Sequence, residues 1–221
     1  FDEYLKLAKI DSATFFNDVS YYDIQCPACD SDGEHAFIKS GFNYSSCPNC
    51  NTLYVSPRPE NSAFKCYYTE APSAEYWATT FYKVTADASR EKLWKPKAKM
   101  IHNIINKYAE GAVAIDVGGG YGIFAEEMEQ LSGVTVIVVE PSPYLAESCR
   151  EREIPVIEKF LEDVSKSELP DGTKAFVSFE LFEHLHSPAQ FLNQILELMN
   201  SGDIFVFTTL SGVGIDIQGL W

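Results

Sequence analysis

An α/β fold built on a doubly wound, mostly parallel sheet, with a small cysteine-rich unit ahead of it, is what this sequence predicts. Three observations carry the expectation. From residue 111 onward, short continuous apolar runs alternate with stretches of helical periodicity, as strands covered on both faces by helices do. The first run, Val113 to Val117, leads straight into Gly118-Gly119-Gly120-Tyr121-Gly122. Glycines are needed where backbone must turn tightly and lie against a ligand, because a Cβ would clash there. Upstream, Cys26-Pro27-Ala28-Cys29 and Cys47-Pro48-Asn49-Cys50 form two C-x-x-C pairs separated by 17 residues, a spacing that predicts a compact metal-held ribbon.

The bulk composition agrees with a folded protein. The 221 residues are 46% hydrophobic and 22% charged, enough for one sizeable core and a small appendage. No apolar run approaches the ~20 residues that span a bilayer, and no basic-then-apolar leader precedes the first helix, so the expected setting is cytoplasmic with no membrane partner. The chain begins at Phe1 rather than Met, which reads as a trimmed start. A net charge of −15 argues against nucleic acid as a partner, because phosphate binding needs a basic footprint. Basic residues gather at Arg90, Lys92, Lys95, Lys97 and Lys99, where a solvated helix face is preferred to an anion site.

In order, residues 1–20 form an N-terminal helix and extension, with Tyr4, Leu5, Leu7 and Ala8 apolar and a break expected at Asp11-Ser12. Residues 21–56 form the ribbon, with a hairpin over Ala36 to Ser45 between the two knuckles. Cys26, Cys29, Cys47 and Cys50 read as a closed, structural Zn²⁺ site that supplies much of this segment's folding energy; two disulfides or an iron centre are the alternatives. Cys66 and Cys149 lie outside that set and read as buried or idle thiols. Residues 57–110 are an aromatic-rich helical connector opened by Pro57-Arg58-Pro59. Its Phe64, Tyr67, Tyr68, Tyr76, Trp77, Phe81 and Tyr82 serve either as packing or as a lid, and packing is preferred. A helix over Ser89 to Tyr108, kinked at Pro96, precedes the sheet.

Residues 111–221 form the core. Its expected strands are Val113–Val117, Val134–Glu140, Pro155–Glu158, Ala175–Phe179 and Ile204–Thr209, with a helix from Tyr121 to about Leu131 after the first. The helix after the fourth strand has Ser187 as its cap, Pro188 at its first position and Gln190 completing a capping box, with Gly202 beyond its end.

Spacing bears on the ligand. The dinucleotide pattern G-x-G-x-x-G/A fails, since its sixth position from Gly118 is Ile123. The residues fit D-x-G-x-G-x-G instead, as Asp116, Gly118, Gly120 and Gly122, and Glu140 closes the second strand where an acid suits both ribose hydroxyls. This pattern resembles class I S-adenosylmethionine-dependent methyltransferases with their Rossmann-like core. Glu140-Pro141-Ser142 resembles that family's second motif, and Phe160-Leu161 lies where the family flanks the adenine. Phe179-Glu180-Leu181-Phe182-Glu183-His184-Leu185, followed by Ser187-Pro188, resembles its fourth motif. A four-cysteine ribbon, then P-R-P and a tyrosine pair, resembles a subgroup associated with sugar and glycan-precursor methylation.

The resemblance implies S-adenosyl-L-methionine as cofactor and structural Zn²⁺. It implies cofactor contacts at Asp116, Gly118, Gly119, Gly120, Tyr121, Gly122, Glu140, Pro141, Phe160, Leu161 and Glu180. A small, sugar-like molecule is the implied acceptor. The family sheet has seven strands and this chain supplies five, ending at Gly219-Leu220-Trp221, so it reads as a fragment lacking the last strands.

Methyl transfer from a sulfonium needs alignment of donor and acceptor at about 3 Å and a place for the acceptor's proton. Glu180 and His184 are the catalytic candidates, with His184 first for general base; a histidine that only hydrogen-bonds its loop or lines the cofactor pocket is the competing reading. Glu183 reads as structural, His186 as turned away, and His35 and His102 lack context. Two other functions compete, a zinc-ribbon ribosomal-RNA methyltransferase and a non-catalytic interaction module on the same fold.

Overall fold

The computed structural model describes residues 1–131, 134–211 and 214. In chain order the helices are α1 (Asp2–Phe16), α2 (Asn61–Glu70), α3 (Pro72–Tyr76), α4 (Tyr82–Ser89), α5 (Lys95–Tyr108), α6 (Ile123–Glu129), α7 (Pro143–Glu151) and α8 (Pro188–Leu198). The strands are β1 (Tyr21–Tyr22), β2 (Glu34–Lys39), β3 (Phe42–Ser46), β4 (Leu53–Val55), β5 (Arg58–Pro59), β6 (Val113–Val117), β7 (Val136–Val139), β8 (Val156–Ile157), β9 (Lys174–Ser178) and β10 (Ile204–Phe207).

The five expected core strands form one sheet in the order β10-β9-β6-β7-β8, and every pair in it is parallel. The chain runs outward from β6 through β7 to β8, then crosses back to β9 and β10. That reversal puts a switch point between β6 and β9, where the two connections diverge and leave a crevice at the strands' carboxyl ends. Alternate side chains serve opposite faces. Ala114, Val136, Val138 and Val177 pack with Ile101, Ile105, Phe124 and Met128 on the α5 and α6 side. Ile115, Val139 and Phe176 pack with Leu161, Phe191 and Ile195 on the α8 side.

At the opposite, amino-terminal edge, Lys174 is buried beside Asp203 at 3.5 Å and donates to the Gly172 carbonyl at 2.9 Å. This pair lies away from the crevice and is structural.

One cysteine-bearing turn precedes β2 and the other joins β3 to β4 in a three-stranded antiparallel sheet, β2-β3-β4, while β1 and β5 pair separately. The two turns repeat one geometry. Cys26 N–H donates to the Ser31 carbonyl as Cys47 N–H does to that of Thr52, both at 2.9 Å. The residue after each second cysteine, Asp30 and Asn51, takes positive φ (56° and 60°), a conformation Asp and Asn tolerate.

Three expectations change on contact with the structure. No break occurs at Asp11-Ser12, because α1 runs through it. Asp11 is buried, and its Oδ2 accepts the Ser73 N–H at 2.7 Å, so it serves the first turn of α3 rather than ending its own helix. The helix after the glycine turn starts at Ile123 rather than Tyr121, since Gly122 sits in the left-handed region at φ 78°. β8 is only two residues long.

The connector is helical from Pro72 to Tyr108, interrupted by two wider i→i+5 turns at Trp77–Phe81 and Arg90–Trp94. The predicted disturbance at Pro96 thus falls just ahead of it: proline has no N–H to return, and the second wide turn passes the Lys95 N–H back to the Arg90 carbonyl.

Candidate active site

The switch-point crevice opens into a cavity of about 580 Å³. The turn after β6 forms one wall. Gly118 N–H donates to the Val139 carbonyl at 2.8 Å, tying the turn to the neighbouring strand. Gly118 and Gly120 have φ of 73° and 57°, so side chains there would be strained. Gly119 is a glycine for a different reason. A Cβ on it would come within 2.6 Å of Asp116 Oδ2 and 2.8 Å of Val138 Cγ1, both fixed in the sheet.

Glu140, at the end of β7, is the polar centre of the cavity. Its Oε2 accepts the Gly120 N–H at 3.0 Å and its Oε1 accepts the Ser142 N–H at 2.9 Å. The carboxyl is buried, which pushes its pKa up to about 7 against the opposing pull of those two N–H groups. Ser142 lines the same wall, and its buried Oγ has no hydrogen-bond partner among the described residues. Asp116 is fully buried beneath Gly119 and is likewise pushed up to about 7, by burial and then by the Glu140 charge.

Of the residues singled out from sequence, Gly118, Gly120, Glu140, Pro141, Phe160, Leu161, Glu180 and His184 line the cavity together. Asp116, Gly119, Tyr121 and Gly122 stand behind its wall. The Tyr121 ring is sandwiched, with Tyr82 stacked on one face at 5.6 Å and the Arg152 guanidinium 4.2 Å from its centroid. Gly122 leaves room for Cys149, whose Sγ would lie 3.0 Å from a Cβ there. Burial pushes the Cys149 thiol up to about 12.

Glu180 ends β9's excursion in left-handed backbone at φ 50°, uncommon for a non-glycine residue and a feature that concentrates at functional sites. Its Oε1 meets Lys97 Nζ at 3.2 Å and accepts from Thr208 Oγ1 at 3.0 Å. His184 is exposed to the cavity on a short 3₁₀ turn, Phe182–His184, whose last N–H returns to the Leu181 carbonyl at 2.8 Å. Glu183 accepts from Thr209 Oγ1 at 3.1 Å.

His186 was expected to turn away, yet it lines the cavity. Its Nε2 lies 3.0 Å from the Pro59 carbonyl and 3.2 Å from Tyr22 Oη, and its ring packs on Phe64. Arg58 donates to the His186 carbonyl and stacks over Tyr22. The P-R-P element therefore seats the β1–β5 pair against the loop that carries His184.

Aromatic side chains serve as both packing and lining, so the two readings of the connector do not compete. Phe16 of α1 packs with Phe42, Phe64 and Tyr67, while Tyr67, Tyr68, Trp77 and Tyr82 face the cavity. Burial raises the Tyr68 phenol above its ordinary value, which keeps it a neutral hydrogen-bond donor. Tyr4 also lines the cavity, a contribution missed at the sequence level because α1 carries no motif. The basic cluster is largely paired: Arg90 grips Glu126 and Glu127, Lys95 pairs with Glu91 and Lys97 with Glu180.

In the ribbon, the Sγ atoms of Cys26, Cys29, Cys47 and Cys50 lie within 4.8 Å of one another and no disulfide joins them. Ser31 hydrogen bonds lower the Cys29 thiol to about 6 and those of Thr52 lower Cys50, while burial pushes Cys47 up to about 11. Low thiol pKa values favour the thiolates that metals bind.

The mitochondrial ubiquinone biosynthesis O-methyltransferase of Schizosaccharomyces pombe is 31% identical over 107 residues, 46% of this chain and 39% of that protein. The chain thus spans about two fifths of the length of that curated relative. The plantazolicin methyltransferase BpumL, solved with SAH, superposes with a TM-score of 0.53 at 13% identity, covering 69% of this chain and 59% of the other. SAM-bound CalS10, an amino pentose methyltransferase from Micromonospora echinaspora, gives 0.49 at 18% identity, covering 60% and 57%. At 13% identity the BpumL superposition speaks for the fold alone. A family model described as a methyltransferase domain matches residues 87–220, more than half of the chain. On that match the chain belongs to the methyltransferase-domain family.

Proposed function

We propose that the chain binds S-adenosyl-L-methionine in the switch-point cavity and transfers its methyl group to a small-molecule acceptor, a nucleotide-linked sugar or related glycan precursor. The observation that carries this is Glu140, buried at the cavity wall with both carboxylate oxygens oriented by backbone N–H groups. The residues present fit the cofactor. Gly118 and Gly120 offer bare backbone, Ser142 Oγ is a buried hydroxyl in want of a partner, and Phe160 and Leu161 give an apolar wall for a flat base.

When bound, the cofactor supplies an already activated methyl group with a neutral leaving group, so alignment and proton removal are what the protein must add. Glu140 accepts from the ribose hydroxyls. The glycine turn sets the depth at which the cofactor lies, and Asp116 keeps Gly119 bare from beneath. Tyr68 lines the cavity with a phenol able to serve as donor to a bound molecule, and Glu180, steadied by Lys97 and Thr208, shapes the cavity mouth. His184 is the group that would take the acceptor's proton, since its imidazole lines the cavity and a neutral ring nitrogen accepts a proton.

The sugar-like acceptor is supported by the joint presence of the cysteine ribbon, Pro57-Arg58-Pro59 and the Tyr67-Tyr68 pair, and by the seating of Arg58 on His186 at the cavity wall. Three of the six Sγ pairs lie 3.4 to 3.6 Å apart and all six lie within 4.8 Å, which suits one Zn²⁺, whose ~2.3 Å bonds to four sulfurs put the sulfurs about 3.8 Å apart. Such a site is closed and structural.

The test is incubation with S-adenosyl-L-methionine and a panel of nucleotide-linked sugars, read by product mass. Methylated sugar supports the reading. Turnover of phenolic acceptors with none of the sugars would move the acceptor class, and failure to bind cofactor would remove the activity.

A further inference from the structure

The cofactor reading leaves Tyr82 without a task, although it holds an unusual position. It opens α4, a helix with no buried residue of its own and with Val84 83% exposed. Two i→i+5 turns bracket this helix, and such turns recur at functional sites. A segment so placed has little packing of its own to hold it, yet the Tyr82 side chain is fixed.

Its ring lies parallel to Tyr121, with an interplanar angle of 1° and centroids 5.6 Å apart. Arg152 backs Tyr121 at 4.2 Å from the ring centroid, and Trp77 packs edge-on against Tyr82 at 5.9 Å. Arg152 is in turn within 3.7 Å of Glu126, the carboxylate that also grips Arg90 at the second wide turn. The stack and the Arg90 pair therefore tie the two ends of α4 to the glycine turn and to α6.

This arrangement aims the phenol at the glycine turn. Tyr82 Oη lies 3.5 Å from where a Cβ on Gly120 would stand, and Tyr82 lines the cavity with Glu140. Any ligand resting on the bare backbone of Gly120 comes within reach of that hydroxyl. Burial holds the phenol above its ordinary pKa against the hydrogen bond from the Trp77 side chain, with the nearby Glu140 charge adding to the rise, so the hydroxyl stays protonated and able to donate.

We infer that Tyr82 is a cofactor-contacting residue, carried over the glycine turn by α4 and held there by the Tyr121–Arg152 stack, so that the connector supplies the lid of the cofactor site. The inference rests on the cofactor reading proposed above. Tyr121 and Arg152 are positioning residues for it and do not touch the ligand.

The test uses the full chain and SAH as probe, titrated by calorimetry into wild type, Tyr82→Phe, Tyr82→Ala and Glu140→Gln, with thermal unfolding of each unliganded protein. Tyr82→Phe keeps the ring stack and removes only the hydroxyl. It is expected to raise Kd roughly threefold to tenfold, the worth of one hydrogen bond, with the unfolding temperature lowered by no more than about 4 °C through loss of the Trp77 contact. Tyr82→Ala is expected to weaken binding further. If wild type binds, Glu140→Gln is weakened and both Tyr82 variants bind as wild type does, the inference is overturned while the cofactor reading stands. If wild type gives no binding, both fall.

Discussion

On the proposed cofactor reading, the Glu140 carboxyl makes affinity depend on pH in a calculable way. Burial pushes it up to about 7, and the ribose hydroxyls need its ionised form as acceptor. Binding therefore requires loss of a proton wherever the free protein holds it protonated. With a free-protein pKa near 7, affinity should rise roughly tenfold between about pH 6 and about pH 8, most of it below pH 7.

Glu140→Gln removes the titration. It also removes two hydrogen bonds to a charged acceptor, for which about 1.5–3 kcal/mol is reasonable, or roughly ten- to hundredfold in Kd at the upper pH. The assay is calorimetric titration of SAH into both proteins across that pH range. A wild-type Kd that does not change with pH, or a Gln variant that keeps both the affinity and the pH slope of wild type, would refute the reasoning.

The same carboxyl acts on stability with the opposite sign. Its folded pKa lies above the unfolded value of about 4.3, so its contribution is fully present below about pH 4 and is lost as pH rises through about 7, by up to about 3 kcal/mol. Unliganded wild type should thus lose more stability than Glu140→Gln over that window, measured by chemical denaturation, and saturating SAH should reduce the difference. Gly119→Ala should cost about 1–3 kcal/mol and weaken SAH binding, because Asp116 and Val138 cannot both retreat from the new Cβ; unchanged stability and affinity would mean that the turn is looser than described. Lys174→Ala should cost about 3 kcal/mol by stranding buried Asp203, yet leave the SAH Kd within about twofold, since the pair lies at the far edge of the sheet. His184→Ala should lower kcat by about a hundredfold or more with little change in SAH affinity, and unaltered turnover would remove it from the chemistry. Metal analysis should return one zinc per chain, and chelation should raise hydrogen exchange through residues 21–59 and at the His186 loop that Arg58 grips, while exchange in β6 and β9 stays unchanged.

How much of this was legible in the sequence follows from where the signals lie. The sheet was readable because each strand is a short unbroken apolar run and Gly118 to Gly122 mark the turn chemically. Glu140 was readable because it ends a strand at the carboxyl edge, where ligands of such sheets bind. The cysteine spacing was readable for the same kind of reason, and the repeat of an Asp or Asn and then a hydroxyl residue after each pair (Asp30-Ser31, Asn51-Thr52) was a further signal in plain view.

Tertiary partners set the rest. Asp11 looks like a helix breaker until the N–H of Ser73, 62 residues on, takes its carboxylate. Tyr4 and Tyr82 belong to helices whose patterns carry no catalytic spacing, so nothing local distinguishes them from packing aromatics. Nothing local shows, either, that the P-R-P element would meet His186 across 128 residues of chain.

The most direct measurement is a crystal structure of the full chain grown with SAH. The account predicts the ribose hydroxyls within hydrogen-bond distance of both Glu140 oxygens, the purine against Phe160 and Leu161, and the sulfur end over Gly118 and Gly120. Nucleoside density elsewhere, or Glu140 turned from the sugar with its two N–H partners kept, would contradict it.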